Sequence, residues 1–195
     1  MRSLFAVLIV PITLASLSCA QDSSKTGAVD QKDYVEAHKE AASKGDVQVK
    51  VILARVAEVP VRDILGSQRY SRDKHLQLLV MVVNNSDSRK VSYSGWGIGS
   101  LRASDNFGNR YAASDFGLGS VPQFIVRKND LPSVKQAVEI PQIQSESIHP
   151  DKAAFDVLVF EEPIAKAEYV LIDMPCRNFG GEGTIRFKIV RGMWD

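Results

Sequence analysis

The hydrophobic rhythm of the sequence changes at Asp46, and this change limits the folds open to the rest of the chain. Over residues 47–53 large aliphatic side chains recur at every second position, the period of a β-strand that buries one face. Similar short patterns continue to the end of the chain, separated by turn-forming residues. They cover residues 75–84, 91–93, 110–111, 134–140, 155–160, 169–173 and 184–190, and a further strand begins at Leu101.

Helical periodicity is absent after residue 45, and this excludes a fold of alternating strands and helices. About eight short strands, each with one strongly apolar face, need an opposing sheet to cover that face. The sequence therefore predicts an all-β fold, an antiparallel immunoglobulin-like β-sandwich over residues 46–195. Cys19 and Cys176 do not supply the disulfide of antibody domains, but the architecture does not require one.

Residues 1–20 have the pattern of a secretory signal peptide. Arg2 precedes an apolar run of 14 residues, 4–17, and small residues follow. As a helix this run would be about 21 Å long, shorter than the ~30 Å hydrocarbon core of a bilayer, which favours export over a permanent span. Two processing routes stay open. Cleavage before Gln21 would release a soluble protein, whereas lipidation of Cys19 would anchor it to a membrane.

Residues 21–45 are predicted to be a polar spacer that ends in a short helix. Residues 21–31 are small and polar, with no apolar periodicity. In residues 32–44 the apolar and aromatic side chains fall on roughly one helical face, namely Tyr34, Val35, His38, Ala41 and Ala42. Gly45 is a typical helix stop.

The charge balance argues against a nucleic-acid-binding protein. The whole chain has 24 basic and 23 acidic residues, and its excess of +1 comes from Arg2. Residues 21–195 therefore carry no formal net charge, whereas proteins that bind nucleic acid concentrate basic charge to meet phosphates.

Spacing arguments identify no catalytic or metal-binding cluster. His38, His75 and His149 are far apart in the sequence and show no zinc-ligand spacing. The lone Cys176 has Pro175 and Arg177 beside it, neither of which is a base, so a small buried apolar role is expected. We therefore predict no catalytic residues, no cofactor and no metal.

The segment 97–120 is the most distinctive part of the sequence. It repeats a Gly-x-Gly-Ser and an Ala-Ser-Asp pattern, and it follows Trp96 in a predicted loop. Its carboxylates and amides offer oxygen ligands to calcium, or they cap their own turns. Trp96, among glycines in this loop, is a candidate for stacking on a ligand, whereas lone tryptophans in sandwiches are usually core or rim residues. The candidate binding residues are Tyr93, Trp96, Asp105, Asn106, Asn109 and Asp115.

Several of these residues also carry a resemblance to a known family. Residues 78–84 with Ser86, then Tyr93, Trp96 and the pattern D-x-x-G-N-x-Y over 105–111, resemble bacterial exported telokin-like, immunoglobulin-like domains. Segments 156–163, 169–171 and 178–183 are similar to a subset of uncharacterised bacterial envelope proteins of this type.

The resemblance covers about residues 46–192, and it implies structural roles rather than catalytic ones. Asp105 and Asn109 would fix the hairpin turn, and Phe160 would be the last core-facing residue of its strand. This chain differs from the family pattern at Cys176 and Arg177, in the turn that leads to Asn178.

Together these observations predict a non-catalytic, exported binding module of the bacterial cell envelope, periplasmic or extracellular. Its partner would be a protein or an envelope component, since loops at one end of a sandwich commonly bind. Membrane contact would come only through the signal peptide or a lipid anchor at Cys19. A structural or assembly accessory without a specific ligand is the alternative. A hydrolase of an envelope polymer is less favoured, because it needs a convergent cluster of catalytic groups.

Overall fold

The computed structural model describes residues 33–195, and this part of the chain is all-β, as the sequence predicts. It contains no α-helix within those residues, and 3-10 turns span Cys176–Phe179 and Arg191–Met193. In chain order the strands are β1 (Val35–Glu36), β2 (Ala42–Lys44), β3 (Val47–Arg62), β4 (Gln68–Asn84), β5 (Val91–Ser94), β6 (Arg102–Asp105), β7 (Arg110–Tyr111), β8 (Val121–Val126), β9 (Val138–Pro141), β10 (Ser145–Ile148), β11 (Lys152–Glu161), β12 (Tyr169–Pro175) and β13 (Thr184–Val190).

The strands form two large sheets and one small one. The first sheet has the order β1-β13-β12-β6-β7, and only its β1-β13 pair is parallel. The second has the order β11-β4-β3-β8-β9, with β2 also paired to β3, and all its pairs are antiparallel. Strands β5 and β10 pair antiparallel as a separate ribbon.

The predicted helix over 32–44 is wrong for the residues that the structure describes. Val35 and Glu36 pair with Phe187 and Lys188 of β13, and β2 forms a hairpin with β3. Gly45 therefore lies in a tight hairpin turn, where its φ of +57° suits glycine, rather than at a helix end. Pairing with a strand about 150 positions later in the chain therefore outweighs the local helical preference of this segment.

The β3-β4 hairpin is longer than the apolar alternation predicts. Its ladder runs from Val47 opposite Asn84 to Arg62 opposite Gln68, with register shifts near Ile52 and Val59. Such bulges end the simple alternation but not the strand. At the second shift the Val59 amide donates to Ser71 Oγ at 2.7 Å, so the bulged backbone keeps a partner.

The second half of β4 and the adjoining part of β11 are buried on both faces of the second sheet. Leu78 and Leu158 face a core shared with Ile172 and Phe187 of the first sheet. The alternate residues, including Leu79, enter a separate cluster against β8. This explains the apolar runs 78–83 of β4 and 157–160 of β11, since neither face of these parts of the strands is left to solvent.

Candidate binding groove

Asp105 holds the hairpin turn between β6 and β7. Its Oδ1 accepts hydrogen bonds from the backbone amides of Phe107 and Asn109, both at 2.9 Å. Its Oδ2 accepts from Asn109 Nδ2 at 2.8 Å and from the Tyr111 hydroxyl at 2.7 Å. Burial raises the pKa of this carboxyl, but the four hydrogen bonds together hold the pKa below its usual value. Asp105 and Asn109 thus use their side chains for hydrogen bonds within the turn.

Asn106 and Asp115 also make local contacts. Asn106 Oδ1 accepts from the backbone amide of Glu168 at 2.9 Å, and Asp115 Oδ1 accepts from that of Gly117 at 2.8 Å. Within residues 33–195, no group of three His, Cys, Asp or Glu side chains is placed to hold a metal ion.

Tyr93 and Trp96 are core residues, which corrects their assignment as candidate binding residues and matches the alternative of a core role for Trp96. Their exposed fractions are 0% and 1%. The rings meet edge to face with centroids 5.1 Å apart, and Trp96 Nε1 donates to the carbonyl oxygen of Pro175 at 3.0 Å. The surrounding glycines indicate a loop, but the aromatic side chains turn inward because burying them is strongly favourable. Neither ring is available to stack on a ligand in this conformation.

Asp156 ties this aromatic core to its surroundings. The Tyr93 hydroxyl donates to its carboxylate, and the backbone amides of Ile143 and Val157 donate to Oδ1 at 2.8 and 2.7 Å. Burial raises the pKa of Asp156, although the hydrogen bonds to its charged form act in the opposite direction. A Cβ on Gly95 would lie only 1.8 Å from the Ile143 carbonyl oxygen, so glycine is required for this close approach.

Asn178 joins the 3-10 turn after β12 to the loop after β5. Its Nδ2 donates to the carbonyl oxygens of Ser94 and Gly95 at 2.9 and 3.1 Å. Because both acceptors are carbonyl oxygens, the side-chain atom that faces them must be the amide nitrogen. The other polar atom of the side chain is Oδ1. That oxygen is buried and has no hydrogen-bond partner. A buried acceptor without a donor costs about 1–3 kcal/mol.

An open groove of about 360 Å³ lies between this loop and this turn. Its lining includes Ser94, Ile98 and Ser100 on one side, and Arg177 and Asn178 on the other. Ile98 is 62% exposed, and Arg177 is exposed with no side-chain partner among the described residues. The groove therefore presents a free cation, hydroxyl groups and one apolar side chain above a rigid base.

None of the six candidate binding residues named from the sequence lines this groove. Segment 97–120 was distinctive through its glycines, and the Gly97–Ser100 part of it borders the groove. Asn178 lies 84 positions from Ser94 in the sequence. Only the departure from the family pattern at Arg177 pointed to that turn. The neighbouring Cys176 is buried, and burial raises the pKa of its thiol.

The sequence spacing also did not predict the close approach of a histidine to a serine. His75 Nδ1 lies 2.8 Å from Ser114 Oγ, and the His75 ring packs edge to face on Phe116 with centroids 5.5 Å apart. Glu161 is the cross-strand partner of His75, but its Oε2 accepts from the backbone amide of Ala112 instead. The serine and the base are thus together without an orienting carboxylate on the imidazole.

No protein-family model and no curated protein matches the sequence. Among solved structures, the chain is similar to the crystal structure of the yjhA protein from Bacillus subtilis, with a TM-score of 0.46 and 10% sequence identity. The alignment covers 80% of this chain and 99% of that one. The likeness is one of β-rich architecture and extends no further.

Across residues 33–195, none of the helical segments has the length and hydropathy needed to cross a membrane.

Proposed function

We propose that this protein is a non-catalytic, exported binding module of the bacterial cell envelope, and that the groove between the Gly95–Ser100 loop and the 3-10 turn is its recognition surface. The observation that carries the proposal is that Arg177, exposed and with no side-chain partner in residues 33–195, borders a groove whose base is fixed by Asn178. An unpaired guanidinium above a rigid base is suited to a partner with acidic or carbonyl groups.

The rigidity of the base matters for binding. Trp96, Asn178 and Asp156 each hydrogen-bond to backbone on another segment, so the groove is already formed before a partner arrives. A preformed surface loses little conformational entropy on association. Ile98 at the rim would add apolar contact.

The finer fold assignment belongs to the same proposal. We infer an immunoglobulin-like sandwich of the telokin-like type, because the two large sheets share one core and the motif residues Asn84 and Asp105 cap their strands. Asn84 Nδ2 donates to the carbonyl oxygens of Arg89 and Ile148 at the end of β4. Loops at one end of such sandwiches commonly bind partners.

The proposal of export depends on the sequence pattern of residues 1–20. These residues include Cys19, and they lie outside the part of the chain that the structure describes. Both processing routes remain part of the proposal. Intact mass spectrometry of the mature protein distinguishes a chain that begins at Gln21 from one that begins at lipidated Cys19.

Site-specific photocrosslinking tests the recognition surface in cells. A photoreactive amino acid replaces Ile98 at the groove rim, and in a matched control it replaces Asp87, which is exposed in the turn after β4. We expect a discrete adduct with one envelope component from position 98 and none from position 87. No adduct at position 98, or the same adducts from both positions, would contradict the proposal.

A structural or assembly accessory is the second candidate function. All six predicted binding residues make internal hydrogen bonds, which favours a scaffold role for them. This alternative predicts no specific adduct at the groove. A hydrolase stays the least favoured function, since no carboxylate of the part of the chain that the structure describes orients the imidazole of the His75–Ser114 pair.

A further inference from the structure

The side-chain oxygens of the groove are left to a ligand as hydrogen-bond acceptors. Ser94 Oγ donates its proton to the carbonyl oxygen of Asn178 at 3.3 Å, and Ser100 Oγ donates to that of Gly97 at 2.7 Å. Because a hydroxyl group has one proton to donate, both of these oxygens can now only accept. Asn178 Oδ1 is a third acceptor, and it has no donor.

Asn178 is a fixed part of the groove base rather than a loose surface side chain. It is only 9% exposed, and it is one of the residues that line the groove. Its Nδ2 is held by the carbonyl oxygens of Ser94 and Gly95, which are lining residues as well. A buried oxygen that lacks a donor gains most from a ligand that brings an N–H or O–H group to it.

Arg177 gives the groove its charge. The other six lining residues are neutral. Asp173 and Glu182 flank Arg177 in the sequence, and Glu146 lies on β10, the partner strand of β5. None of these three carboxylates lines the groove or forms an ion pair with Arg177 within residues 33–195. The groove therefore offers a ligand one cationic donor and three oxygen acceptors.

The end of a peptide chain has the groups that complement this arrangement. We propose that the groove binds the C-terminal residue of a partner polypeptide, with the terminal carboxylate on Arg177 and the backbone N–H of that residue on Asn178 Oδ1. This inference rests on the proposed function of the groove as a recognition surface. A guanidinium can donate two parallel hydrogen bonds to one carboxylate, and capture of a terminal carboxylate is a recurring mode of peptide recognition.

Other anionic ligands complement the groove less well. A phosphate or sulfate group brings acceptors, which suit Arg177 but not the three oxygen acceptors beside it. An acidic sugar also has hydroxyl donors, but Tyr93 and Trp96 are buried and offer no ring face to a sugar. Ile98, 62% exposed at the rim, suits the aliphatic side chain of a terminal residue. The volume of about 360 Å³ is small for a ligand site and fits a chain end rather than a long segment.

Competition against the photocrosslinked adduct tests this inference. The full-chain protein carries an aliphatic diazirine residue in place of Ile98 and is irradiated in envelope extract. Two libraries of acetylated tetrapeptides with randomised residues are added as competitors. One library has free C-terminal carboxylates, and in the matched control library each of these is a carboxamide. Mass spectrometry of the adduct identifies the part of the partner that is attached.

We expect the free-acid library to halve the adduct yield at a concentration at least about tenfold lower than the carboxamide library does, the effect of one charge-assisted contact. In Arg177→Gln this difference should disappear, and the attachment should map to the last few residues of the partner. Equal competition by the two libraries, no competition by either, or an adduct on an internal residue or a glycan would overturn this inference and leave the groove as a binding surface. The absence of any adduct would overturn the proposed function and this inference together.

Discussion

The Tyr93 hydroxyl donates a hydrogen bond to the carboxylate of Asp156 inside the protein core. Both side chains are fully buried, and no cation among the described residues acts on this carboxylate. The Asp156 charge is therefore compensated by hydrogen bonds from Tyr93 and from backbone amides. This pair links β5, β11 and the segment before β10, and it lies next to the base of the groove.

Tyr93→Phe removes the hydroxyl donor and leaves the carboxylate with fewer partners. We expect the free energy of unfolding to fall by about 1–3 kcal/mol, the cost of removing a hydrogen bond to a buried charged group. Urea unfolding at neutral pH measures this loss. Tyr70→Phe, at an exposed tyrosine, is the matched control and should unfold like the wild type.

Asp156 gives the stability a pH dependence of defined sign. Because burial raises the pKa of the folded-state carboxyl above its ordinary value of 3.8, its contribution to stability is fully present below that value. It is lost as the pH rises through the higher folded-state pKa. The free energy of unfolding of the wild type, minus that of Asp156→Asn, should therefore decrease as the pH rises above 3.8. Urea unfolding across a pH series measures the slope, and a difference that grows with pH would contradict the account.

Asp105 should behave in the opposite way. Its hydrogen bonds outweigh burial and lower the pKa of the folded state, so its stabilisation is present above the ordinary value of 3.8 and lost as the pH falls through the lower one. Asp105→Asn should destabilise the protein by about 1–3 kcal/mol at neutral pH, with a deficit that narrows in acid. Asp87→Asn, at an exposed position, provides the control. A deficit that stays constant into acid would show that the charge of Asp105 is not what stabilises the turn.

Gly95 and Gly97 form a matched pair of test positions. A Cβ at Gly95 would meet the Ile143 carbonyl oxygen at 1.8 Å, whereas one at Gly97 would meet nothing within 4 Å. Gly95→Ala should therefore displace the segment that holds Asp156 and lower the free energy of unfolding by about 2 kcal/mol or more. Gly97→Ala should leave it nearly unchanged. Equal effects in a urea titration would contradict the packing described around Gly95.

The strand periodicity was sufficient to predict the all-β class because Leu78, Val80 and Val82 repeat their pattern locally. The periodicity did not predict the strand at Val35, which pairs with Phe187. It also did not predict β8, whose Phe124 packs in the second hydrophobic cluster. Neither contact has a local signature, since both depend on segments that meet only after folding. A two-residue strand such as β1 is too short for any period to reveal.

Part of the candidate site could likewise be predicted from the sequence, and part could not. The D-x-x-G-N-x-Y pattern carries its own geometry, so the roles of Asp105 and Asn109 could be anticipated from the sequence. The inward direction of Trp96 could not, because it depends on Pro175 and Phe179 in a distant turn. The groove has no local signature either, since it is assembled by the hydrogen bonds of Asn178 to the loop after β5.

The central claim is that the groove recognises an envelope partner through Arg177. The most direct measurement is the yield of the photocrosslinked adduct at position 98, compared between the otherwise wild-type protein and the Arg177→Ala variant. Arg177 is exposed and makes no side-chain hydrogen bond or ion pair within the described residues, so the variant should fold normally, which its urea unfolding verifies. We predict at least about a tenfold lower yield in the variant, the effect of losing one charge-assisted contact. An unchanged yield from a folded variant would contradict the claim.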